Sequence, residues 1–563
     1  MTEFLVAIVL ALLLIAAAAL VAPRLGIASP LVLVAIGVAA SFLPVFDGFE
    51  IDPEWILAGV LPPLLYSSAV SMPAMNFRRE FGAISGLSVV LVVGSALVLG
   101  MFFTLVIPGL DFAWGVALGA IVSPTDAVAT SIIKKMPVSK RVVAILDGES
   151  LLNDATALVL LRTAIAAAAA TFSFWGTVGT FAYSVAIAVF LGALVGWLNL
   201  VLRRRVIDPT VNTVISFTVP FLAAIPAELL GASGLVAAVV AGIVTGIRAP
   251  RDLSPRNRLS DSQNWRTVEL VLESAVFLIM GLQISSIVAN VERDHAGVWT
   301  AILIAAGALV LTVLVRTAYV TPLLWSLARR RRHIGDMQLR LRDMQERMTT
   351  AEGQRKTFTE VNSRGHRAHS PGRRASSQNL ERFARRVTQG LADIDYFLRR
   401  PLGWREGATV VWAGMRGAVT VAAAQTLPAD TPERSLLVLI AFIVALLSLL
   451  IQGSTVGPLL RRIGPKDQRA EKDQLDAERR QIMELMRTSS ESIPAAPPPP
   501  DEDRTPEQFQ RSRDFRLAVI AAQRAALLDA RDNGTFDADV LADALANLDA
   551  TQIALEMRSS FAG

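Results

Sequence analysis

The chain is 563 residues long, 53% hydrophobic and only 18% charged, with no cysteine, four histidines and a net charge of +5. The absence of cysteine excludes disulfides and thiolate metal sites, and so few histidines leave little for an imidazole-built metal or catalytic centre. Many apolar windows are about 20 residues long, the length that crosses a bilayer's hydrocarbon core, so the composition predicts an all-α polytopic membrane protein.

Thirteen spans are expected, at roughly 3–22, 28–46, 55–74, 82–107, 112–133, 141–170, 174–202, 211–230, 232–248, 268–289, 298–328, 404–427 and 434–461. The first has no basic region ahead of it and no small-residue cleavage site, so it is expected to be a retained helix and not a signal peptide. Alternate connections carry the basic residues: Arg24; Arg78 and Arg79; Lys134, Lys135, Lys140 and Arg141; Arg203 to Arg205; Arg248 to Arg258; Arg329 to Arg332; and Arg461, Arg462 and Lys466. The connections between them are acidic or nearly uncharged, so the positive-inside rule places the N-terminus outside and the C-terminus in the cytoplasm of a multi-pass cell-membrane protein. This topology accounts for the net positive charge, because the arginines flank spans and do not cluster on one module; no nucleic-acid partner is expected.

The domain organisation follows: spans one to eleven over 1–329, a cytoplasmic insert over 330–402, spans twelve and thirteen over 403–462, and a cytoplasmic tail over 463–563. The insert is rich in Arg, Gln and Ser, and the apolar content of Ser363 to Gly372 is too low for folding alone, so it is expected to be largely disordered. The tail combines a charged helical run to about 487, a Pro-rich break at Pro494 and Pro497 to Pro500, and two helices, about 506–532 and 536–558, joined at the turn signal Asn533-Gly534. A helical hairpin packing on itself or on a sister subunit is the expected fold.

The chemistry lies in spans five and six. A charge at the centre of a spanning helix costs roughly 2.5 to 3.5 kcal/mol on insertion scales, so such residues face a partner, a cavity or a transported ion. In Ser123-Pro124-Thr125-Asp126 the proline removes an amide and span five should break there, exposing carbonyls and half-helix ends beside Asp126. In Gly148-Glu149-Ser150-Leu151-Leu152-Asn153-Asp154, Ser150 and Asp154 share a helix face while Glu149 points about 140° away from Asp154. Asp154, the Ser150 hydroxyl and the Asn153 amide therefore offer hard oxygens to a small monovalent cation, sodium, lithium or potassium. Glu149 is left for a structural ion pair, expected with Arg416 in Gly414-Met415-Arg416-Gly417. Glu273 and Arg316 are expected to pair with each other, and Asp147 to line an entrance funnel. No nucleotide-binding Gly-rich motif and no cofactor site appears, so transport driven by ion gradients is expected.

Leu61-Pro62-Pro63-Leu64-Leu65-Tyr66, the two acidic motifs, Ala232-Ser233-Gly234, Phe277 to Leu282 and Gly414-Met415-Arg416-Gly417-Ala418-Val419 occur in order over about 1–462, and together the chain resembles the bacterial sodium/proton antiporters of the cation/proton antiporter-1 family. The resemblance implies a homodimer in membrane lipid, inverted repeats, and fifth and twelfth spans that are unwound and cross near the ion site. It further implies that Asp154 binds sodium and proton alternately, with Ser150, Asp126 and the Thr125 carbonyl around it, that Asn153 is the Asn of an Asn-Asp pair marking one-for-one exchange, and that Glu149 and Arg416 form the core salt bridge. Ser67 and Ser68 stand where some members carry an acid, and the insert falls where the family's connection is typically short.

Overall fold

The computed structural model describes every residue except 1, 26–27, 47–50, 127, 170–173, 294–296, 348–376, 465–467, 495–505 and 561–563. The stretch 363–372, Pro497 to Pro500 and the histidines at 295, 366 and 369 lie outside the described residues.

All the described elements are helical. In chain order they are α1 (Thr2–Val21), α2 (Ser29–Ser41), α3 (Leu61–Ser71), α4 (Ala74–Ser85), α5 (Val92–Val106), α6 (Phe112–Val122), α7 (Val128–Ile133), α8 (Lys140–Ala169), α9 (Phe174–Arg203), α10 (Pro209–Leu229) and α11 (Gly234–Asp252). There follow α12 (Pro255–Leu282), α13 (Ile284–Arg293), α14 (Val298–Arg347), α15 (Ser377–Arg399), α16 (Trp404–Trp412), α17 (Ala418–Gln425), α18 (Arg434–Ile463), α19 (Gln468–Glu491), α20 (Pro506–Asn533) and α21 (Ala538–Ser560). π-helical turns precede α3 and join α4 to α5. Local chemistry sets several starts: Asp208 accepts hydrogen bonds from the amides of Thr210 and Val211 ahead of α10, and Ser254 accepts one from the Asn257 amide ahead of α12, each with proline at the first helical position.

Eight of these stretches are long and apolar enough to cross a membrane, and four shorter apolar helices, Leu5–Val21, Ser29–Ser41, Trp55–Ser71 and Phe112–Val122, accompany them. The fifth and twelfth expected spans are each divided, into α6 and α7 and into α16 and α17, so neither is a continuous helix.

The chain forms two compact units, one of Met1–Leu323 with Trp404–Pro465 and one of Leu324–Gly403 with Lys466–Gly563. In the first, small residues bring backbones together: a side chain at Gly37 of α2 would collide with Gly281 of α12, and Gly192 and Gly196 of α9 abut Ala237 and Ala241 of α11. Without a hydrophobic drive between helices in lipid, such close packing holds them. Two arginines expected in connections are instead buried and paired, Arg141 with Glu80 (2.5 Å) between α8 and α4 and Arg203 with Asp261 (2.8 Å) between α9 and α12.

In the second unit the insert departs from the expected disorder. Residues 377–399 form α15, whose Val387 and Leu391 pack against Leu341 and Met344 of α14 and its own Phe383. Leu341 and Met344 lie within the insert too, so its few apolar residues are gathered on two helices that pack against each other, an arrangement that low overall apolar content does not reveal. Within the same unit α19, α20 and α21 enclose Ile482, Leu527, Leu541, Leu545 and Leu548, and α20 ends at Asn533 with Gly534 at φ +71°, the left-handed turn that glycine accepts without strain.

Candidate functional site

Helix α6 stops at Val122, and the Ser123 hydroxyl donates back to the Ala120 carbonyl (3.1 Å). Pro124 has no amide to continue the ladder, so the chain leaves helical geometry over Pro124 to Asp126, and α7 opens at Val128, whose amide donates to Asp126 Oδ1 (3.1 Å). The second interruption runs from Ala413 to Gly417 between α16 and α17. The two interruptions are joined: the Asp126 amide donates to the Met415 carbonyl at 2.7 Å. Gly417 lies against the Asp126 carboxylate, and a Cβ at 417 would overlap it. A Gly417→Ala variant is therefore expected to displace Asp126 and lower exchange by about tenfold or more, read as cation-dependent proton movement in vesicles; wild-type rates would show that the carboxylate is free to move aside.

A cavity of about 100 Å³ opens beside this junction. Its wall carries Asp154 and Ser150 from α8, Thr125 and Asp126 from the first interruption, Gly417 from the second, and Glu269 and Glu273 from α12. Asp154 is 9% exposed and makes no hydrogen bond or ion pair among the described residues. An apolar interior does not tolerate a bare carboxylate, so the group needs a proton or a cation. The Ser150 hydroxyl donates to the Asp147 carbonyl (3.2 Å), leaving its oxygen lone pairs toward the same space, while Asp147 itself pairs with Lys134 at 2.9 Å.

Asn153 is not on the cavity wall. Its amide donates to the Thr125 carbonyl (3.1 Å) and hydroxyl oxygen (2.6 Å), so it fixes the broken strand of chain that carries Asp126 instead of presenting a ligand to the cavity. The Thr125 hydroxyl in turn donates to Glu149 (3.2 Å).

The expected Glu149–Arg416 pair is not formed. Arg316 of α14 clasps both carboxylate oxygens of Glu149, at 2.7 Å through Nη2 and also through Nη1, and its Nε donates to the Val410 carbonyl (2.9 Å). Arg416 serves another purpose: its guanidinium donates to the carbonyls of Val122 (3.0 Å) and Gly414, and its amide to Ser448 (2.9 Å). Breaking two helices orphans carbonyls at their C-terminal ends, and a buried cation satisfies them. The expected Glu273–Arg316 pair is absent for the same reason, because Arg316 is spent on Glu149. Glu273, expected in an ion pair, is instead a cavity residue, and so is Glu269, which the sequence reading missed; the available signal was two carboxylates four apart on one face of an otherwise apolar span.

Comparison with known proteins identifies relatives of the chain and of its fold. The family model described as "Sodium/hydrogen exchanger, transmembrane" matches residues 8–342 and 385–462. An uncharacterized Na(+)/H(+) exchanger of Mycobacterium tuberculosis is 27% identical over 447 residues, covering 78% of this chain and 70% of that protein. The low-affinity Na(+)/H(+) antiporter NhaS1 of Synechocystis is 28% identical over 473 residues, 81% of this chain and 75% of the relative. The sodium proton antiporter MjNhaP1 of Methanocaldococcus jannaschii has a similar fold, with TM-score 0.53 and 17% identity over 80% of this chain and all of that one.

Proposed function

The chain belongs to the transmembrane sodium/hydrogen exchanger family, a family of multi-pass cation/proton antiporters, and from that premise we propose that it exchanges one sodium ion for one proton at Asp154. The observation that carries this reading is the buried, unpartnered Asp154 carboxylate facing a cavity beside two interrupted helices. A cation and a proton each neutralise that charge and cannot both do so at once. If the core changes sides only when Asp154 is neutral, an inward proton is bound to an outward cation, and competition alone yields antiport.

Asp126, Ser150 and the Thr125 carbonyl supply the further oxygens for the ion, and Asn153 acts by holding Thr125. Glu149 is neutralised by Arg316, so it takes no part in the proton count. The protein is read as thirteen spans with inverted repeats, the two interrupted helices crossing at the site, the N-terminus outside and the C-terminus in the cytoplasm. The alternation of basic and acidic connections supports that orientation. A homodimer is the proposed assembly. Rocking of one helix bundle past the other is the proposed route of alternating access.

With one exchanging carboxylate, one proton replaces one monovalent cation and no net charge crosses. Exchange in proteoliposomes is expected to be unaffected by a potential set with potassium and valinomycin. A sustained current on a solid-supported membrane would show that a second group carries a proton, and would replace one-for-one coupling by electrogenic exchange.

A further inference from the structure

Two carboxylates of the cavity have no role in the exchange just described. Glu269 and Glu273 lie four residues apart on α12, one turn of helix, and so share a face. Glu269 is half-buried and accepts a hydrogen bond from the Ser67 hydroxyl (3.1 Å). Glu273, one turn further along α12, has no hydrogen-bond or ion-pair partner among the described residues, as is true of the nine-tenths-buried Asp154 across the same cavity. The titratable groups around Glu273 are Asp126 on the first helix break, Asp154 on α8 and Glu269 on its own helix, and the cavity wall carries no Lys, Arg or His among the described residues. Four acids facing one small cavity with no base among them repel each other when ionised, so protons must reside on some of them. A ligand set for one cation already exists in Asp154, Asp126, Ser150 and Thr125. Two further acids stepped along one face, Glu269 tied to a hydroxyl and Glu273 unpartnered among the described residues, have instead the spacing of a proton chain, for which acidic residues inside membranes are commonly used.

We propose that Glu269 and Glu273 form a proton relay between solvent and Asp154, an inference that rests on Asp154 being the exchange site. In the uptake direction the Glu273 carboxyl gives its proton to a cavity water as that water gives another to the Asp154 carboxylate. The Glu273 carboxylate then takes a proton from Glu269, which is recharged from solvent. Only O–H bonds form and break, one proton enters for each delivered, and release runs the same steps backwards. The cavity is large enough for the bridging water and polar enough to hold it.

The test compares wild type, E273Q, E269Q and D154N, purified and reconstituted, with rates measured across pH and against sodium concentration, with and without formate as a small diffusible acid. The relay predicts that E273Q lowers the maximal rate about tenfold or more at alkaline pH, where protons are scarce. The apparent KM for sodium should stay within about twofold of wild type, and formate should restore part of the rate. E269Q should show a smaller loss of the same kind, and D154N no rescue. An unchanged pH profile in both E273Q and E269Q overturns the relay. So does a raised KM at unchanged maximal rate, which would make Glu273 a cation ligand, or a loss that formate does not relieve, which would make it structural. If D154N itself exchanges normally, the reading of Asp154 falls, whatever the glutamine variants do.

Discussion

Asp154→Asn is expected to abolish cation-dependent proton movement completely while leaving the protein folded. The substitution keeps the size and shape of a side chain that makes no hydrogen bond or ion pair among the described residues, so packing in α8 is little disturbed. It removes the charge for which proton and cation compete, and an amide takes up neither as the carboxylate does. A vesicle assay that follows dequenching of a pH-sensitive dye on adding sodium measures the loss, and an unchanged melting temperature in detergent separates it from unfolding. Exchange at the wild-type rate by the purified variant would remove Asp154 from the site.

The second large effect concerns stability. Glu149 and Arg316 are both buried and joined through two hydrogen bonds, so Arg316→Ala or Glu149→Ala leaves an unpaired charge in the membrane interior at a cost of about 3 to 5 kcal/mol. Removing both should cost less than the sum of the two, because neither charge is then stranded. Arg416→Ala is expected to destabilise as well, by withdrawing donors from the Val122 and Gly414 carbonyls, but with no ion pair between them its coupling to Glu149→Ala should be weaker than that of Arg316→Ala. Thermal melts of the five single and double variants decide between the pairings: stronger coupling of Glu149 to Arg416 than to Arg316 would contradict the arrangement seen here.

Much of the site was legible in the sequence because its cost is legible. Pro124 within an apolar window announced the interruption of α6 and α7, and Asp126 and Asp154 are charges that a span does not carry without use. The choice of arginine was not legible. Arg316 and Arg416 are both cations within apolar windows, and Glu149 fits either; what separates them is the pair of carbonyls stranded when α6 ends at Val122 and α16 at Trp412, and that demand exists only once both interruptions are in place. Asn153 was misplaced for a related reason. Spacing puts it next to Asp154, but it lies one residue, about 100°, around the helix and turns toward the chain that it anchors. In the second unit, α15 escaped because low apolar content was judged over the insert as a whole, whereas its few apolar residues, Val387 and Leu391 on α15 and Leu341 and Met344 on α14, sit on helices that pack against each other.

The bond from the Asp126 amide to the Met415 carbonyl gives the site a mechanical property. Two interrupted helices would ordinarily be two hinges, each free to bend by itself and to spoil the register of the oxygens between them. Latched to each other, with Gly417 seated on Asp126 and the Arg416 guanidinium bridging Val122 and Gly414 across both gaps, they have one shared pivot. On the proposed reading of the site, the oxygens around the ion would then move as one unit, and whatever shifts that unit would leave the distances within it unchanged.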